Sequence, residues 1–355
     1  MFKKISSIIV AITLLAMSGV SVSAADLSES SAIPEDNAVF VSDYSTSSTS
    51  TTTTSNAVSE TIYTLDSNGN ITQSVYVSAS NQRASVNNIE LNTDEYLPTA
   101  AHAVDAGTSG ADSYGRTEMT PVDKRVGVLL CGFNTDTDDT IEEWRYGTAS
   151  LQNHDILISC AHVLWKPQYA DLEKEGWATE ITFYAGRQGH NTYAATSDYS
   201  NVSISMNYVN NTTYSVNENG DIVTSVEFNY DWSIIRIEDN LGGRFGWFGL
   251  HGCGEAETGL DIYTIGYPGD KDAYTQWKSP GSITSFTGNK MIYSAFIAGG
   301  NSGGPIINDG YVYGIATYHA YNSTTPWLYS GGTRMYDNLF SMIVDAREES
   351  AERWG

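Results

Sequence analysis

Basic side chains are scarce in this sequence: 18 Lys and Arg stand against 42 Asp and Glu in 355 residues, a formal charge of −24. So acidic a chain is repelled by nucleic acid and by anionic membrane surfaces, and neither is expected as a partner. Cysteine is scarcer still, limited to Cys131, Cys160 and Cys253. Their spacing makes neither a disulfide framework nor a zinc site, and leaves open one Cys131–Cys160 bridge or three buried free thiols. Long apolar runs are missing apart from the stretch Ile8 to Val20, which follows Lys3 and Lys4 and precedes Val22-Ser23-Ala24. That layout is a secretory signal, too short and wrongly flanked for a membrane span. Residues 1–24 are therefore read as a signal peptide, and the chain as secreted.

Amphipathic helical patterns are also few, and what replaces them organises the chain. Residues 25–112 read as a pro-segment. It contains a Ser/Thr-rich tract at 44–56 (STSSTSTTTTS from Ser45 to Ser55) that cannot bury enough apolar surface to offset ordering entropy and is expected to be disordered. Within it Ser67-Asn68-Gly69-Asn70, between two β-prone runs, predicts a hairpin turn. The polar stretch Asp105 to Gly115 reads as a linker and processing region. Residues 113–355 then carry short apolar runs such as VGVLLCGF, EITFYAG, DIYTIGYPGD and YVYGIATYH, separated by turn signals. This is the pattern of an all-β antiparallel sandwich or barrel. Only Asp337 to Arg353, with Leu339, Phe340, Ile343 and Val344 in helical spacing, predicts an amphipathic C-terminal helix.

Three local patterns carry chemistry, in the order His, Asp, Ser. His162 follows the strand-like ILIS, Asp231 precedes the apolar SII, and Ser302 lies in Gly299-Gly300-Asn301-Ser302-Gly303-Gly304-Pro305. A His after a strand or an Asp before one is commonly structural. A Ser between glycine pairs is more telling, because residues without Cβ let the chain turn tightly and aim successive N–H groups at one spot. The separations are 69 and 71 residues, each bracketed by strand-like segments. The order differs from the Asp-His-Ser of subtilisins and the Ser-Asp-His of α/β-hydrolases, and strand rather than helix is expected after Ser302.

With these residues in view, the stretch from about Arg116 to Ile343 resembles the chymotrypsin-like serine proteases, and more closely their secreted bacterial glutamyl endopeptidase, V8-like branch. The segments that carry the resemblance are NYDWSII, GWFGL, GYPGDKDAYTQW, YSAFIAGGNSGGPI and SGGTRMYDNLF. It implies a double six-stranded β-barrel with the C-terminal helix behind it. It further implies a monomeric endopeptidase acting on protein or peptide substrates, with His162, Asp231 and Ser302 as triad and no metal or organic cofactor. The Gly300 and Ser302 amides become the candidate oxyanion hole. Hydrolysis is expected to fall at acid pH, since an imidazolium cannot act as base. Asn301, unlike an Asp, cannot pair with a newly released terminal ammonium, so activation by that route is not expected.

Specificity departs from the branch. Where glutamyl endopeptidases carry a His in a Gly-Ile-His segment, this chain has Gly314-Ile315-Ala316, and Ile297 replaces a hydroxyl residue five before Ser302. Phe296, Ile297 and Ala316 would line an apolar pocket, with His319 at its rim. A substrate carboxylate there would go unpaired at a cost of about several kcal/mol, so strict Glu specificity is not expected. Cys160 precedes His162 by two instead of following it, so the family's usual bridge around that His is not expected either. The competing readings are a peptide-binding module without catalysis, a surface adhesin and an esterase. The intact triad, the lack of repeats and the strand after Ser302 count against them in turn. The pro-segment is expected to hold the enzyme latent.

Overall fold

The computed structural model describes residues 33–34, 38–40, 59–77, 110–136, 140–172, 175–218, 222–322 and 324–355. The expected signal peptide and Ser/Thr tract fall outside them. Near the start of the described chain are two short strands, β1 (Ile33–Pro34) and β2 (Ala38–Phe40), then the hairpin β3 (Ser59–Asp66) and β4 (Ile71–Val77). The two strands of the hairpin join where the sequence predicts. The Asp66 carboxylate accepts the Asn68 and Asn70 amides at 2.8 and 2.9 Å, and Gly69 takes φ +81°. An Asp side chain that mimics a backbone turn and a residue free of Cβ at positive φ are what such a turn requires.

A short β5 (Thr117–Glu118) leads into the first barrel, built from β6 (Val126–Phe133), β7 (Glu143–Leu151), β8 (Ile156–Ser159), β9 (Glu180–Ala185) and β10 (Ala195–Ser205). After the small hairpin β11 (Thr213–Val216) and β12 (Ile222–Ser225), β13 (Ser233–Ile237) closes it by pairing with both β8 and β10. The ring of six strands runs β13-β8-β7-β6-β9-β10. Following β14 (Gly249–Leu250), the second barrel comprises β15 (Asp261–Gly266), β16 (Trp277–Thr287), β17 (Lys290–Tyr293), β18 (Pro305–Asn308), β19 (Tyr311–Tyr321) and β20 (Tyr329–Arg334), closed by β19–β20 pairing. The double six-stranded barrel expected from the resemblance is thus formed. Closure matters physically because it removes exposed strand edges and lets each ring bury a continuous core. All eight residues of β6 are buried, which is why VGVLLCGF reads as an unbroken apolar run rather than an alternating one.

Among the described residues the α-helices are α1 (Ala161–Leu164), α2 (Met206–Asn211), α3 (Leu241–Phe245) and α4 (Asp337–Trp354). The last is the helix read from the sequence, and its buried face includes Leu339, Phe340, Ile343 and Val344. It is fastened to the first barrel by Asp155, whose buried carboxylate takes hydrogen bonds from Ser350 at 2.5 Å, Arg353 at 2.9 Å and Arg236. All three cysteines are free and buried, so the open question about a bridge resolves to free thiols. Among the described residues no helix is long and apolar enough to cross a membrane.

The hairpin β3–β4 is not a separate body. β3 pairs with β10 in antiparallel register from Ser205↔Ile62 to Asn201↔Asp66, extending the first barrel's sheet. Ile62, Tyr63 and Leu65 belong to the buried core, and burying each such side chain is worth about 2 kcal/mol.

Candidate active site

The three sequence-selected residues come from both barrels and converge in the groove between them. His162 sits in α1, the single turn that follows β8. Asp231 lies just before β13, which is hydrogen-bonded to β8 with Ser233 opposite Ser159. That pairing sets the Asp beside the His: Asp231 is wholly buried and its Oδ2 lies 2.6 Å from His162 Nδ1, while Oδ1 accepts the His162 backbone N–H at 3.0 Å. The Thr333 hydroxyl holds the Asp231 carbonyl at 3.1 Å. One carboxylate thus fixes both the ring and the backbone of the same His, leaving Nε2 as the ring nitrogen free to face a reactant.

Ser302, just before β18 of the second barrel, is held by β7 of the first barrel and by β19. The Ser302 carbonyl accepts the Thr148 amide of β7 at 2.7 Å. The Gly303 amide donates to Ala316 of β19 at 2.8 Å, and the same Ala316 carbonyl accepts the Cys160 thiol at 3.1 Å, two residues before His162. A Cβ on Gly303 would lie 2.1 Å from Ser159 Oγ, and one on Gly147 2.8 Å from the Ser302 carbonyl oxygen. Glycine at both places is therefore a condition of bringing the barrels together. His162 Nε2 and Ser302 Oγ are both buried, and neither has a hydrogen-bond partner among the described residues. A buried polar atom left unpaired costs free energy, a cost that a bound reactant would offset.

In the glycine loop before Ser302, two carbonyls are tied back into the protein. The Gly299 carbonyl accepts the Gly269 amide at 2.6 Å, and the Asn301 carbonyl accepts the Gly304 amide at 2.8 Å. Because a trans peptide points its N–H opposite to its C=O, the Gly300 and Ser302 amides face away from those partners. Gly300 takes φ +90°, and a Cβ there would lie 2.3 Å from the Tyr267 carbonyl oxygen. The loop is pinned by Thr148, a residue that no sequence pattern singled out. Its hydroxyl donates to the Gly300 carbonyl at 2.8 Å, and its own carbonyl accepts the Ser159 hydroxyl at 2.7 Å. Asn301 is buried, and its Oδ1 lacks a partner among the described residues. The loop that carries the candidate oxyanion amides is therefore held by backbone and threonine contacts.

Of the four residues assigned to the pocket, Ile297 and Ala316 lie wholly beneath the surface, Phe296 is 9% exposed, and His319 is half-buried. The sequence reading missed two aromatic neighbours. Tyr114 stacks on Phe296 with ring centroids 3.9 Å apart, and Trp327 meets the same ring edge-on at 5.5 Å. The Arg116 guanidinium lies 4.6 Å from the Phe296 ring centroid. Its charge is already matched by Asp112 at 2.9 Å and Asp270 at 2.6 Å. Burial would raise the Asp112 carboxyl, but hydrogen bonds from Lys271 and Arg116 outweigh it and hold Asp112 at about 2.

Cys160, His162 and Asp231 place possible metal-ligating atoms within 4.8 Å of one another. A cation among them would have to replace the 2.6 Å His–Asp hydrogen bond, and the thiol is turned to the Ala316 carbonyl. The donor set does not fit a metal while that pair is formed.

A family model for the trypsin-like peptidase domain matches residues 147–315, the stretch from β7 to β19. An extracellular metalloprotease of Bacillus subtilis, so named, is 27% identical over 204 residues, covering 56% of this chain and 57% of that protein. Glutamyl endopeptidases of Bacillus licheniformis and Staphylococcus aureus are 36% and 44% identical over 78 and 55 residues. Those matches cover 22% and 16% of this chain. The chain thus spans just over half of the first relative, and 25% and 17% of the other two. In solved structures, a Glu endopeptidase in complex with MPD superposes with a TM-score of 0.50 at 19% identity, over 67% of this chain and 99% of that one, a likeness of fold. The matched domain, the relatives and the barrel architecture together make this chain similar to the chymotrypsin-like proteases, and to glutamyl endopeptidases of the V8-like branch among them.

Proposed function

We propose that the protein is a secreted serine endopeptidase that cuts peptide bonds through an acyl-enzyme on Ser302. The observation that supports this most directly is the Asp231 carboxylate bonded to both the Nδ1 and the backbone N–H of His162, with His162 Nε2 and Ser302 Oγ both buried and without a hydrogen-bond partner among the described residues. In the acylation step Nε2 takes the Ser302 proton as Oγ attacks the carbonyl carbon. The developing oxyanion is met by the Gly300 and Ser302 amides, and the imidazolium returns its proton to the leaving amine. Water then repeats the sequence in reverse. Asp231 keeps the proton of the neutral ring on Nδ1 and stabilises the cation that forms. The test is a mass-spectrometric map of the cuts made in a protein substrate by the wild type and by Ser302→Ala.

The substrate residue before the scissile bond would meet Phe296, Tyr114, Trp327 and His319, a largely aromatic surface. A medium-sized apolar or polar side chain suits it better than Glu, because Arg116, the cation on Phe296, is already tied to two carboxylates.

Thr148→Val tests the loop. Valine keeps the shape but leaves the Gly300 carbonyl without its donor, so the oxyanion amides lose their support. A fall in kcat of about 10²-fold with KM little changed is expected from steady-state kinetics.

Latency has its own support. β1 runs parallel to β7 at Arg145 and Tyr146, next to the Gly147–Thr148 contact with Ser302. β2 runs parallel to β19 from His319 to Tyr321, a few residues beyond Ala316. Two short strands of the same segment thus flank the nucleophile, one on each bank of the groove, on the edges where an extended peptide would add. The signal-free chain lacking residues 26–41 should hydrolyse a small ester substrate about tenfold faster or more than the longer chain, since an effective concentration in the millimolar range is removed with the tether. Equal initial rates would sink the latency reading.

A further inference from the structure

The hairpin β3–β4 falls within the stretch assigned to the pro-segment, yet it is built into the catalytic barrel. Glu60, at its start, is 2% exposed. Its carboxylate accepts the Ser205 hydroxyl, the N-cap of α2, at 2.6 Å, and the Tyr336 hydroxyl, at the N-cap of α4, at 3.0 and 3.1 Å. Tyr336 in turn accepts the indole N–H of Trp232 at 2.8 Å, and Trp232 is the residue after Asp231. One buried carboxylate therefore ties the hairpin to two helix starts and to the wholly buried side chain next to the triad Asp. Burial pushes the Glu60 carboxyl up, against hydrogen bonds from Ser205, Tyr336 and Asn338 that favour its charged form. Further along, the Tyr63 ring lies tilted against Trp177 with centroids 5.2 Å apart and its hydroxyl donates to Glu175, while Tyr76 donates to Asp345 of α4 at 2.7 Å.

We propose that the hairpin Ser59–Val77 is a permanent part of the mature catalytic unit, with Glu60 as a positioning residue for Asp231. It follows that the segment to be removed in maturation is the one bearing β1 and β2, and that the freeing cut falls between Phe40 and Ser59. A cut in the Asp105–Gly115 linker alone would leave the hairpin docked, with β1 and β2 still attached to it. This revises the expectation that the whole of residues 25–112 departs together.

Docking of a hairpin held by Ile62, Tyr63, Leu65 and Glu60 does not depend on catalysis, so it is tested by mass. The signal-free chain is nicked by limited proteolysis between residues 78 and 109 and examined by native mass spectrometry. The peptide bearing residues 59–77 should remain bound to the remainder; its release, with the remainder still folded by circular dichroism and as active on an ester, overturns the proposal. The positioning role rests on the peptidase reading and is tested by Glu60→Ala and Glu60→Gln. Glu60→Ala should lower kcat by about ten- to a hundredfold with KM within about twofold, because a displaced triad member costs rate without touching substrate binding. Glu60→Gln, which can still accept from Ser205 and Tyr336, should restore most of the rate. Unchanged kcat in a Glu60→Ala protein that retains the hairpin would overturn the positioning role.

Discussion

Replacing Ser302 by Ala is expected to remove every cut that the wild-type protein makes in a protein substrate, a loss of about 10⁴-fold or more in kcat. The magnitude follows from the site. On the proposed mechanism, without Oγ there is no acyl-enzyme, and what survives is binding plus the candidate oxyanion loop that Thr148 still holds in place. The substitution deletes one buried, unpartnered oxygen, so the fold should be unharmed and its melting temperature little changed. The same digest reads specificity. Cuts after apolar or aromatic residues would match the Phe296, Tyr114 and Trp327 surface, whereas a majority after Glu would mean that Arg116 or His319 supplies a charge in spite of the two carboxylates on the arginine. Persistence of the same cuts in Ser302→Ala would remove Ser302 from the nucleophile's place.

Asp231→Asn should be nearly as damaging, with kcat/KM down by about 10⁴-fold near neutral pH. Asparagine is close in shape and could still accept the His162 backbone N–H, so the loop geometry should survive. Its amide, however, would offer N–H rather than a lone pair to Nδ1, favouring the tautomer with the proton on Nε2, where Ser302 needs an acceptor. The counter-charge to the imidazolium is lost at the same time. A loss of less than about tenfold would show that the carboxylate is not the orienting group.

Much of this site was legible in the sequence because each element carried a local chemical reason. The strand before His162 and the strand after Asp231 are both formed, and Pro305–Asn308 is strand, as expected. The C-terminal helix was legible from its apolar spacing. Thr148 was not, because a Thr in a strand reads as a β-former; only the crossing of β7 against the Ser302 loop gives its hydroxyl a purpose. Nor was Tyr114, whose contact with Phe296 joins residues 182 apart. The β3–β4 hairpin was recognised as a hairpin, but not as barrel. Strand alternation shows that one face is buried and does not show against what.

The clamp on Arg116 has one further consequence. Asp112, Asp270 and the stack of Tyr114 on Phe296 hold the short arm before the first barrel against Phe296, and so make it a wall of the proposed specificity pocket. A chain end created upstream of Asp112 leaves that wall standing, while one created after Arg116 strips it away and bares Phe296. Two preparations trimmed a few residues apart would then share a triad and differ in diet, and the choice between them would belong to whichever protease does the trimming.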